Sequence, residues 1–173
     1  HRHEGGYGLH LPTIKELLPQ FSLLIAVDCG ISNASEVAYL KAGKRDVIIV
    51  DHHAWPSSPP AAYAVLHPAH PDGHYPFPYL CGAGMAWKLS TALLTHNDSP
   101  LPDGSAFSRS LLDLVCLGTI GDVVPLLGEN RALVKYGLSV MAHSPRAAMS
   151  VLKSLWDRQG SLTVRTVSHH FAP

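Results

Sequence analysis

Leu23-Leu24-Ile25-Ala26-Val27-Asp28-Cys29-Gly30 and, a helix-length interval later, Val47-Ile48-Ile49-Val50-Asp51-His52-His53 are the stretches whose reading decides the fold. Each is a continuous aliphatic run closed by an aspartate. Runs of this kind, separated by a segment of mixed polarity, read as neighbouring parallel strands buried on both faces. Ligands of open parallel sheets bind outside the carboxyl ends of the strands, where both aspartates fall. Asp28, Asp51, His52 and His53 are therefore expected to converge on one site. Crowded carboxylates repel unless a cation compensates them. Oxygen and imidazole donors without thiolate favour a hard or borderline divalent ion, Mn²⁺ or Mg²⁺. The competing reading makes Asp28 a helix cap and the histidines surface residues. Two acid-ended strands, one carrying paired histidines, weigh against it.

Working outward, Thr13 is expected to cap a helix through Ile14, Leu17 and Leu18, with Pro12 just before it. Gly30 supplies a turn, and Ser32 or Asn33 starts a helix through Val37 and Leu40 that Gly43 ends. The prolines and serines of 54–62 mark a surface loop, and Ala64-Val65-Leu66 a short third strand. A second proline-rich loop covers His67 to Pro78. Helices are expected from Ala83 to Thr95, from Phe107 to Leu117, and at about 130–142 and 145–158, with a loop at 97–105 and an extended stretch before Phe171. The fold class is thus α/β, a parallel sheet flanked by helices and followed by a mostly helical segment. The expected domains are a catalytic α/β part over 1–126 and a helical continuation over 127–173.

The 173 residues are 46% hydrophobic and 15% charged, in the range of soluble globular proteins. No apolar run approaches the roughly 20 residues that cross a bilayer, so no membrane role and a cytoplasmic location are expected. Cys29, Cys81 and Cys116 are far apart and odd in number, which reads as reduced, buried thiols. Net charge is zero, without the basic surplus of a self-sufficient nucleic-acid binder. The chain opens on His1 and closes on Phe171-Ala172-Pro173, and both ends read as cut from a longer protein.

Asp122 is the third metal-ligand candidate, because a carboxylate among such apolar neighbours is costly unless partnered. His67, His70 and His74 are separated by prolines and Gly73, cannot share a helix face, and read as a solvated loop. Gly82 and Gly84 open a helix whose backbone N–H groups can meet a phosphate, though close packing explains them as well. Arg131 and Arg2 are candidates for phosphate binding or for salt bridges.

Taken in order, Val27-Asp28-Cys29-Gly30, Val50-Asp51-His52-His53, Tyr75-Pro76-Phe77, Leu80 to Leu89, and Gly118 to Leu126 with Gly128-Glu129-Asn130-Arg131 resemble the DHH phosphoesterase superfamily. The nearest likeness within it is to the RecJ type, the single-strand-specific 5′-to-3′ DNA exonucleases, and it extends over nearly the whole chain. The resemblance implies a catalytic α/β domain holding two Mn²⁺ or Mg²⁺ ions that hydrolyses a phosphodiester in single-stranded DNA, in repair and recombination, alongside DNA-repair proteins of unstated identity. By motif position, Asp28 resembles the carboxylate bridging the ions, and His52 and Asp122 resemble further ligands. His53 resembles the residue contacting the scissile phosphate, with Asp51 orienting the histidines. The family's first motif, an Asp-x-Asp run, has no counterpart in residues 1–27, where the acids are Glu4 and Glu16. The fragment is therefore expected to be inactive alone. Alternatives are a superfamily hydrolase of oligonucleotides, cyclic dinucleotides or pyrophosphate, and a non-catalytic RecJ-like interaction subunit.

Overall fold

In the computed structural model, which describes residues 6–96, 104–156 and 162–172, three short strands lie parallel in the order β1 (Leu23–Val27), β2 (Asp46–Val50), β3 (Ala64–Leu66). Register runs Leu23↔Asp46 to Val27↔Val50, and Ile48↔Ala64 to Val50↔Leu66. The acids that close β1 and β2 therefore leave the same rim of the sheet. The ladder continues past the strands, since Asp28 N–H donates to the Val50 carbonyl (2.9 Å) and Asp51 N–H to that of Leu66 (3.1 Å).

The chain divides into two compact units, His1–Pro78 and Tyr79–Pro173. In the first, helix α1 (Leu11–Leu17) leads through a 3₁₀ turn (Leu18–Gln20) into β1, and α2 (Ala34–Ala42) connects β1 to β2. Ile14, Val37 and Leu40 bury against Val47 and Ile49, with Leu24 and Val65 beside them. Alternation sends Leu24, Val47, Ile49 and Val65 to that one face. The opposite face of β1 departs from the expectation of burial on both sides: Leu23, Ile25 and Val27 are each over 40% exposed. β1 ends the described sheet and pairs with β2 alone, so aliphatic composition did not translate into burial there. Helix α1 begins at Leu11, ahead of Thr13, because Pro12 sits in the first turn, where its missing N–H costs nothing. Asn33 and Gly43 bound α2 as the pattern implied.

The second unit is helical: α3 (Gly82–Thr95), α4 (Gly104–Ser110), α5 (Leu112–Gly121), α6 (Gly128–His143), α7 (Ala147–Leu155) and α8 (Val164–Thr166), which continues into a π turn (Val167–Phe171). Its core gathers Cys116, Ile120, Val134, Met141, Met149, Val167 and Phe171. The single helix expected over Phe107–Leu117 is broken at Leu111. There Leu111 and Leu114 bond three residues back, and Arg146 takes the Ser110 carbonyl (3.4 Å). Arg146 is held by buried Asp113 (3.1 Å), which also accepts from Ser144 Oγ (2.5 Å). The stretch before Phe171 is helical rather than extended. Its β-branched residues favour strand, but Thr163 and Thr166 form a capping box and Val167 and Phe171 are drawn into the core. Of the expected 97–105 loop, 97–103 lie outside the described residues.

Candidate metal centre

At the carboxyl rim of the first unit, Asp28 Oδ1 lies 3.1 Å from His52 Nε2. Asp28, His52 and His53 each offer a ligand atom, and these lie within 4.8 Å of one another, the one such cluster among the described residues. Asp28 adopts φ +61°, the left-handed region. Aspartate tolerates it better than most residues, and such conformations concentrate at functional sites. Gly30 follows at φ +108°, where a Cβ would come within 3.2 Å of Ala26 Cβ. A substituted side chain would push the turn off the sheet.

Asp51 is 1% exposed and faces inward rather than toward the cluster's open side. Its Oδ2 accepts from Ile31 N–H (2.9 Å), and its Oδ1 from the N–H groups of His52 (2.7 Å) and His53 (3.2 Å) and from His53 Nδ1 (2.6 Å). Burial pushes its pKa up, but the hydrogen bonds from the His53 ring and from the Ile31, His53 and His52 amides outweigh that and hold it below the ordinary carboxylate value. Asp51 is thus a charged acceptor that fixes the His53 ring, with the Nδ1 proton toward the carboxylate and Nε2 directed outward. Beside them the Cys29 thiol is pushed up by burial and by the charges of Asp51 and Asp28. Only partly buried, it departs from the buried setting expected, whereas Cys81 and Cys116 are buried.

Two contributors escaped sequence reasoning. Tyr7, read only as part of a glycine loop, places its hydroxyl 3.3 Å from His53 Nε2 and against the Asp28 carbonyl, its ring edge-on to His53. Asn33 holds the loop in place by pairing with both the N–H and the carbonyl of Leu9. The second is His67, expected in a solvated loop but only 8% exposed, whose Nε2 lies 2.7 Å from the His53 carbonyl. A loop rich in proline reads as surface, yet its first residue directly continues β3, which places it under the Asp51-His52-His53 turn. His70 flanks Trp55, and His74 is exposed as expected.

The remaining candidates belong to the second unit or lie outside the described residues. Asp122 caps the C-terminus of α5 and is exposed, so its carboxylate is not confined among the apolar neighbours in sequence: the helix ends there and the chain turns outward. Val123 beside it adopts φ +58°, unusual for a β-branched residue. At the start of α3, Gly84 N–H donates to Cys81 Sγ (3.4 Å), so that N–H is engaged within the fold. Arg131 is exposed in the first turn of α6, where neighbouring Asn130, fully buried, donates to the carbonyls of Tyr79 (2.6 Å) and Pro125 (3.0 Å). Arg2 lies outside the described residues.

The model of the DHH family, N-terminal domain, matches residues 5–119. The chain belongs to the DHH family. It is 37% identical over 99% of its length to the single-stranded-DNA-specific exonuclease RecJ of Bacillus subtilis, and 39% identical over 88% to that of Thermus thermophilus. It covers 21% and 22% of those two proteins. A crystal structure of exonuclease RecJ bound to manganese matches 99% of the chain with a TM-score of 0.81 and 36% identity, the chain covering 42% of it. A RecJ structure from Thermus thermophilus in complex with Mn²⁺ matches 93% with a TM-score of 0.77 and 34% identity, the chain covering 23% of it. The family match takes in both acid-ended strands, with Asp51-His52-His53 after β2, and reaches into the second unit.

Proposed function

We propose that the full-length protein is a metal-dependent exonuclease that hydrolyses phosphodiester bonds in single-stranded DNA from the 5′ end, in DNA repair and recombination, and that this chain carries its DHH catalytic portion. The observation that carries this reading is the Asp28, His52 and His53 cluster, in a chain related over nearly its whole length to single-strand-specific exonucleases. Its carboxylate and imidazole donors suit Mn²⁺ or Mg²⁺, the ions in the related structures. Asp28 and His52 would hold such an ion, with Asp122 proposed as a further ligand. When bound, divalent ions supply charge neutralisation at the phosphate and activation of water.

The chain's own residues then divide the remaining work. His53, its Nδ1 proton held by Asp51, directs Nε2 outward, where it contacts a non-bridging oxygen of the scissile phosphate once Tyr7 yields that position. Asp51 keeps the tautomer and the ring plane constant through the reaction. Arg2, Arg131 and Gly82 at the start of α3 are the proposed contacts to further phosphates of the strand, the Gly84 N–H being taken by Cys81.

The test is digestion by full-length protein of 5′- and 3′-labelled single strands, duplexes and dinucleotides, with Mn²⁺, with Mg²⁺ and with excess chelator. Mononucleotide release from the 5′ end of single strands, lost in chelator, supports the reading. Preference for dinucleotides would move the assignment to another hydrolase of the family, and no hydrolysis under any condition would favour a non-catalytic role.

A further inference from the structure

We propose that His67 is a positioning residue for the metal centre, whose ring holds the Asp51-His52-His53 turn in register through the His53 carbonyl. Two ring contacts settle its tautomer. His67 Nδ1 accepts from Ala69 N–H (3.1 Å), so the proton resides on Nε2, which donates to the His53 carbonyl at 2.7 Å. A backbone N–H cannot pair with a protonated Nδ1, so the imidazolium would break the first bond. Trp55 packs edge-on to the ring (centroids 5.2 Å apart) and braces it from the opposite loop.

The consequence reaches the site through the backbone. The turn from Asp51 to His53 lies past the end of β2, where Asp51 N–H still bonds to the Leu66 carbonyl (3.1 Å) but the amides of His52 and His53 turn back to the Asp51 carboxylate. The carbonyl of His53 is its outer anchor. Releasing that anchor frees the peptide that carries both imidazoles, and with it the 3.1 Å approach of His52 to Asp28. His67 touches neither ion nor phosphate; it acts through His53. Proline at 68 and the bond from His70 N–H to the His67 carbonyl (3.2 Å) keep the His67 backbone from following the ring.

This rests on the reading of the cluster as a metal centre, and the experiment separates the two. In full-length protein, His67→Phe removes the donor and fills the space, His67→Gln keeps an N–H donor near the Nε2 position, and His74→Ala serves as a control from the same loop. We expect His67→Phe to lower kcat and Mn²⁺ affinity by about 10–100-fold with little change in KM, and to speed amide exchange at His52 and His53. His67→Gln should recover most of each loss, and His74→Ala should match wild type. Equal damage from Phe and Gln, an effect on KM alone, or unchanged exchange at His52 and His53 in His67→Phe would overturn the proposal. Wild-type protein that binds no Mn²⁺, with exchange at His52 and His53 still faster in His67→Phe, would remove the metal reading and leave the positioning role standing.

Discussion

Asp51→Asn changes one buried oxygen to an amide with almost no change in shape, and its cost follows from the four hydrogen bonds that the carboxylate accepts. If the new NH₂ faces the Oδ1 side, three donors confront it; if it faces the Oδ2 side, only Ile31 N–H does. The second arrangement is preferred, and it leaves a buried amide unpaired at about 1–3 kcal/mol while the three other bonds lose charge assistance, for a total of about 3 kcal/mol. The assay is urea unfolding of metal-free protein, followed by tryptophan fluorescence. Because the folded pKa of Asp51 lies below its unfolded value of about 3.9, its charge contributes stability that is complete above that value and fades as pH falls through the folded pKa. The advantage of wild type over Asp51→Asn should therefore be constant from pH 7 to about pH 5 and shrink below about pH 4. A difference under about 1 kcal/mol at pH 7, or one that grows in acid, would refute the account of Asp51 as a charged, fully engaged acceptor.

Asp28→Asn keeps a side chain that tolerates the left-handed backbone while halving its ligand capacity, so Mn²⁺-dependent hydrolysis by full-length protein should vanish with the circular-dichroism spectrum unchanged; near-normal turnover would remove the proposed ligand role. Mn²⁺ at 100 times its dissociation constant should stabilise the protein by about 2.7 kcal/mol, read as a shift of the urea midpoint that chelator reverses. Gly137→Ala would place a Cβ about 2.5 Å from Cys116 Cβ where α6 crosses α5, so a loss of about 1–3 kcal/mol is expected from denaturant unfolding. Val123→Gly relieves a left-handed β-branched residue that is 86% exposed, and the same measurement should show a gain of up to about 1 kcal/mol.

Residue pattern alone carried the parallel β-α-β unit and three members of the candidate centre. An aliphatic run ended by an aspartate states both the strand and the rim at which its acid emerges, and these signals act within a few residues. Gly43 was legible for the same reason, because a C-cap is local chemistry, whereas Asn33 holds the N-cap position with its side chain on Leu9 instead of on the helix. Contacts that close large loops had no such signature. His67 reaches His53 across 14 positions and Tyr7 reaches it across 46, and in each case the side chain looks like ordinary loop composition until the sheet brings the segments together.

The tertiary structure also overruled local preference. β-branched Thr163 to Val167 reads as extended, but burial of Val167 and Phe171 made it helical, and the apolar run through Leu111 was split where Arg146 claimed the Ser110 carbonyl. Leu23, Ile25 and Val27 show the converse, since hydrophobic character marks what a strand can bury, whereas its place in the sheet decides what it does bury. The order of residues thus determined which groups are available to hold a cation at the ends of β1 and β2. Only the fold shows how the two carboxylates are set, Asp51 buried against four donors and Asp28 exposed beside the His52 imidazole, because that depends on which segments the sheet brings together.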